Sequence, residues 1–94
     1  MSPYITPVRR EAFALLEEEL KSTRIDTPGE LVYLFCRIAD LYVSQRLIEF
    51  RIMNDVVGAL ENAKLEFCRR VLAEFESKKE LENGTIWSQL GLGD

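Results

Sequence analysis

The stretch NDVVGALENAKLEFCRRVLAEF, Asn54 to Phe75, decides the fold. Val56, Leu60, Ala63, Phe67, Val71 and Phe75 recur in it at spacings of three and four residues. That period stacks them on one stripe of an α-helix and matches no face of a strand. Lys79, Asn83 and Gly84 supply a stop, because a cation suits the last turn and glycine takes the backbone out of the helix without steric cost. A helix over about residues 52–82 is therefore expected. Gly58 lies inside it, at a cost of about 1 kcal/mol relative to alanine, and the expected reason is close helix packing beside Ala59, the alternative being the close approach of a ligand.

Working back toward the N-terminus, Thr27, Pro28, Gly29 and Glu30 form the sharpest boundary in the chain. Thr27 and Glu30 are spaced for a capping box, in which each side chain satisfies the other residue's backbone amide, and proline fits the first turn. Leu31, Leu34, Phe35, Ile38 and Leu41 then carry a helical period, with Tyr33, Arg37, Asp40 and Ser44 on a more polar face; the helix should span about residues 28–46. No proline or glycine lies between Gln45 and Asn54. An unbroken helix from Pro28 to Asn83 would nevertheless be about 80 Å long, so a turn near Leu47 to Arg51 is expected, setting the two helices side by side.

Thr6 and Pro7 start a shorter helix over about residues 7–21, with Val8, Ala12, Phe13, Leu16 and Leu20 on its apolar stripe. Ser22 to Asp26 reads as a connection. Beyond Gly84 a tail over residues 85–94 offers Ile86, Trp87 and Leu90 to fold back on the helices, and Gly91 to Asp94 reads as a frayed end. The expected fold class is all-α: a short N-terminal helix plus a long antiparallel helical hairpin, one domain over residues 1–94. Hydrophobic residues make up 47% of the chain, more than one small core absorbs, so hairpins are expected to assemble into a homo-oligomeric helical bundle.

A net charge of −4 disfavours broad binding to nucleic acid or anionic membranes. No apolar run approaches the ~20 residues of a membrane span, and no secretory signal is visible, so a cytoplasmic location is expected. Cys36 and Cys68, far apart in apolar helical patterns, are expected to be small buried hydrophobes.

Histidine is absent. Serine and cysteine triads, histidine metal sites and the commonest general base near neutral pH are thereby excluded. Gly29 and Gly58 are isolated and form no phosphate-cradling loop, and Glu17, Glu18 and Glu19 read as a solvated face. No cofactor or metal is expected, and the chain is expected not to be an enzyme. A hydrolase that recruits a divalent metal through Asp and Glu is a third, weaker reading.

Tyr33 and Arg37 stand one helical turn apart on the second helix, and Asn62, Glu66, Arg69 and Arg70 cluster on the third. Guanidinium forks donate in pairs to phosphate or carboxylate, tyrosine stacks and hydrogen-bonds, and Asn62 and Glu66 suit a base edge or hold the arginines in place. The plainer reading is an ordinary surface ion pair from Glu66 to Arg70. These six residues are the candidate ligand site.

PYITP at Pro3 to Pro7, TPGELVYL at Thr27 to Leu34, NDVVGALENAKLEFCRRV at Asn54 to Val71, and KK followed by ENG at Lys78 to Gly84 carry a further signal. Through these segments the chain resembles a family of small uncharacterised proteins encoded by tailed bacteriophages and prophages. It differs at Val32, where that family tends to have asparagine, and at Cys68 and Trp87, where tyrosine is usual. The resemblance implies a phage origin, a helical fold and action in the cytoplasm of the host bacterial cell, with no reaction attached. Small phage oligomers of this kind often blunt bacterial defence, and one class soaks up cyclic nucleotide signals between subunits. The expected function is accordingly a sponge that sequesters a cyclic nucleotide or ADP-ribose-type ligand at subunit interfaces. The alternative is a helical interaction module that inhibits a host protein or serves phage assembly.

Overall fold

A computed structural model describes residues 2–88. They form helices and connecting turns, with no strand among the described residues, so the all-α expectation holds. The elements are α1 (Pro7–Glu11), α2 (Ala14–Ser22), α3 (Pro28–Ser44), α4 (Phe50–Phe67), a π-helical turn (Cys68–Leu72) and α5 (Ala73–Asn83). Contacts group the chain into two compact units, residues 1–59 and 60–94.

In the first unit the helix starts are fixed by the chemistry expected of them. The Arg9 amide donates to Thr6 Oγ1 at 3.3 Å. At α3 the Glu30 amide donates to Thr27 Oγ1 at 3.2 Å, and Glu30 Oε1 accepts from the Thr27 amide at 3.0 Å and the Asp26 amide at 2.6 Å. The box thus satisfies the Asp26 and Thr27 amides and gives the Glu30 amide, which also donates to the Thr27 carbonyl at 3.1 Å, a second acceptor.

The first helix is not continuous over 7–21. The Ala12 and Phe13 amides bond back three residues, to Arg9 and Arg10, and Phe13 leaves helical geometry at φ −107°, ψ 5°. Nearby, the Arg10 side chain donates back to the Ile5 carbonyl at 2.9 Å, and the Arg9 guanidinium lies 5.3 Å from the Phe13 ring centroid.

Helix α3 stops at Ser44, and residues 45–49 break the chain close to the expected turn. Across this break the Tyr42 hydroxyl donates to Asp55 Oδ2 at 3.4 Å. Ala39, Asp40, Val43, Met53 and Val56 line a small hollow, so the last turns of α3 lie beside the first turns of α4. Ile52, on the first turn of α4, is 6% exposed and is the one buried residue among those described.

The second unit holds the end of α4, the π turn and α5. In place of the expected helix over 52–82, the helical stretch runs from Phe50 to Asn83 and carries the π turn in its middle. An α-helix has 3.6 residues per turn, so a repeat of four overshoots a full turn by about 40° at each step. Phe67, Val71 and Phe75 keep that repeat of four. A π turn, with its wider i→i+5 ring, uses more residues per turn and brings the three back into line. Gly84 ends the helix at φ +87°, ψ 157°, a region closed to side chains, with its amide donating to Glu80 O at 2.7 Å. Past it, Ile86 and Trp87 turn back beside Ala73, Glu76, Ser77 and Glu80. Leu90 and the end at Gly91 to Asp94 lie outside the described residues.

Cys36 departs from expectation. It is exposed, and Cys68 is half-buried, both as free thiols. The apolar period of α3 that predicted burial is itself uncovered: Phe35 is 50% and Ile38 58% exposed.

Candidate functional site

On the second unit, Glu66 organises the candidate residues. Its two carboxylate oxygens accept from Arg69 Nη2 at 3.1 and 3.0 Å, and Oε1 lies 3.5 Å from Arg70 Nε. These are i,i+3 and i,i+4 neighbours, and the π turn that starts at Cys68 places both arginines directly after α4. Glu66 and Asn62 are half-buried, whereas both arginine side chains are more than half exposed. Glu66 therefore holds two guanidinium groups together on one helix face and leaves their outer edges to solvent. Chemically such a pair takes a phosphate or carboxylate by bidentate hydrogen bonds.

On the first unit, Arg37 Nη1 lies 3.0 Å from Asp40 Oδ2, and Tyr33 is exposed one turn before it on α3. The six candidates thus form two local groups: Tyr33 with Arg37 on α3, and Asn62, Glu66, Arg69 and Arg70 from late α4 into the π turn.

A third group escaped the sequence reading. Tyr42, Ser44, Gln45, Arg46, Arg51 and Asp55 surround a hollow of about 640 Å³ at the break between α3 and α4, a volume within the range of small-molecule sites. The Arg46 guanidinium lies 3.6 Å from the centroid of the Tyr42 ring and donates to the Tyr42 carbonyl at 2.7 Å. A cation flat on an aromatic face is held in place by the ring's negative face. Arg51 pairs with Glu49 at 3.2 Å. The signal was present in the i,i+4 spacing of Tyr42 and Arg46, but Arg51 and Asp55 join the group only once the chain has turned.

Among the described residues no three metal-ligating side chains gather into a metal site. No helix among them is long and apolar enough to cross a membrane.

The described residues define an all-helical protein with paired arginines on an exposed helix face. More narrowly, the chain belongs to the family described as Domain of unknown function (DUF6899), which matches residues 1–86. No curated protein and no solved structure matches it.

Proposed function

We propose that the whole chain, residues 1–94, acts as one helical domain of a homo-oligomer that binds and sequesters a nucleotide-like anion without turning it over. Helices α3 and α4 pack as an antiparallel hairpin, and Tyr33, Arg37, Asn62, Glu66, Arg69 and Arg70 contribute to clefts at subunit junctions. The observation that carries this reading is the grip of Glu66 on Arg69 and Arg70 beside an uncovered apolar stripe. One feature suits an anion, the other a neighbouring subunit. The setting is a phage-infected bacterial cell, where the ligand is a cyclic nucleotide or ADP-ribose-type signal of host defence and the protein works in the host cytoplasm.

The test is to heat the pure protein with cyclic dinucleotides and ADP-ribose derivatives in turn and to chromatograph each ligand afterwards. At least one is expected to raise the melting temperature and be recovered unchanged. Arg69→Ala is expected to abolish that rise at unchanged oligomeric state. No shift with any of them rejects sequestration.

A second reading is a docking protein whose apolar face covers a host or phage protein. It is favoured by the carboxylate partners of the candidate arginines, since Arg37 lies against Asp40 and Arg69 and Arg70 against Glu66. A ligand phosphate must compete with those carboxylates, whereas a protein surface need not.

A further inference from the structure

We infer that the face of the second unit formed by Phe67, Val71 and Phe75 is the seat of a second copy of this chain, packed antiparallel about a two-fold axis at the level of Leu72. The inference rests on the proposed self-association and specifies its geometry.

The starting point is which side of the helix the chain leaves open. Trp87 turns back toward Ala73, Ser77 and Glu80. Arg70, Val71, Glu74, Phe75 and Lys78 instead line an open hollow of about 260 Å³. Phe67 is 59%, Val71 52% and Phe75 58% exposed. Through residues 60–83, i,i+3 and i,i+4 ion pairs run along the helix, and these add only a few tenths of a kcal/mol each. Most helical stability in proteins comes from covering an amphipathic face, and this stripe lacks that cover. Covering the phenylalanines of two copies, two from each, removes on the order of 400 Å² from water. That is a substantial part of the ~1,200 Å² at which stable interfaces begin.

Charge then selects the occupant and the register. The π turn aligns Glu66, Arg70, Glu74 and Lys78 along one edge of the stripe, where Arg70 pairs with Glu66 at 3.5 Å and Lys78 with Glu74 at 4.0 Å. With the axis level with Leu72, the second copy's Glu74 meets Arg70 and its Lys78 meets Glu66. No like charges fall level with each other anywhere from Glu61 to Asn83. Moving the axis to Val71 sets Lys64 against Lys78 and Glu66 against Glu76; moving it to Ala73 sets Glu66 against Glu80. Flanking pairs of this kind add little strength but fix orientation and register.

The apolar residues fit the same register. The second copy's Phe75, Val71 and Phe67 fall level with Arg69, Ala73 and Ser77 of the first. Its side chains therefore alternate with Phe67, Val71 and Phe75 of the first copy, and its Phe67 and Val71 reach the hollow. An isologous contact of this kind closes as a dimer and can recur within a larger symmetric assembly.

The experiment is cysteine cross-linking of the full chain carrying Cys36→Ser and Cys68→Ser, with sedimentation measured in parallel. Val71 stands nearest the axis, so Val71→Cys is expected to form a disulfide-linked dimer on mild oxidation. Phe75→Cys, displaced to opposite ends in the two copies, is expected not to. Arg70→Glu and Glu74→Arg should each weaken association at least tenfold, and the two together should restore it, with circular dichroism checking that helix content is kept. Equal cross-linking through Val71→Cys and Phe75→Cys would indicate parallel pairing and overturn the register. An oligomer that sediments normally yet fails to link through Val71→Cys also overturns it, while leaving self-association in place. A monomer at all concentrations, its stripe covered by its own residues or by a foreign protein, overturns both.

Discussion

Residues 1–59 and 60–94 are built from the same kind of amphipathic helix but are secured differently. The first unit has a capping box, a side-chain bond from Tyr42 to Asp55 across a break in the chain, and the buried Ile52. The second unit has no buried residue among those described, and ion pairs between successive turns run along it. One stretch of helix is thus fixed by contacts between elements. The other is organised along its own axis and presents its apolar side outward. A periodic stripe identifies a helix but does not identify what covers it.

The sharpest way to break this contrast is Ile52→Ala. Truncating a buried aliphatic side chain costs about 2–5 kcal/mol, and the loss should appear in urea unfolding at fixed protein concentration. A loss no larger than that of Phe75→Ala would mean that the two units are secured alike in the isolated chain.

Gly84→Ala comes next. The position has φ +87° and ψ 157°, and a residue with a Cβ there is strained by roughly 1–3 kcal/mol. Thermal melting should fall accordingly, with fraying at the end of α5 read from hydrogen exchange at Glu82 and Asn83. Nothing lies within 4 Å of where the new Cβ would sit, so the effect measures backbone strain alone.

Thr27→Ala removes one half of the capping box and should cost about 1 kcal/mol. Thr27→Ser should recover most of it, because the hydroxyl rather than the methyl accepts from Glu30. The smallest effect is expected from Arg69→Ala: an exposed ion pair contributes about 0–1 kcal/mol, so the melting temperature should hardly move while any anion-induced rise is lost. A drop as large as that of Thr27→Ala would make Arg69 a structural residue and remove it from the ligand site.

These residues also mark how far the sequence was readable. Thr27 and Glu30 were legible because a capping box is local chemistry at fixed spacing. The break after Ser44 was legible only through the length of an uninterrupted helix, since no proline or glycine marks it. The interruption at Ala12 and Phe13 was not, because no proline or glycine marks it and the apolar period runs straight through both residues to Leu16. The π turn left a trace in the repeat of four from Phe67 to Phe75, which reads as an ordinary stripe until the overshoot per turn is counted. Of the candidate site, the cluster of Glu66, Arg69 and Arg70 follows directly from helical spacing. The hollow at Tyr42, Arg46 and Arg51 does not, because it exists only once α4 has turned back beside the end of α3. Cys36 shows the converse error: its apolar neighbours predicted burial, and those neighbours are themselves exposed.

Sedimentation velocity on the wild-type chain across a hundredfold range of concentration tests the central claim most directly. A species of at least twice the 10.9 kDa chain mass, dissociating on dilution or persisting throughout, is the expected result. A single 10.9 kDa species at every concentration would contradict it.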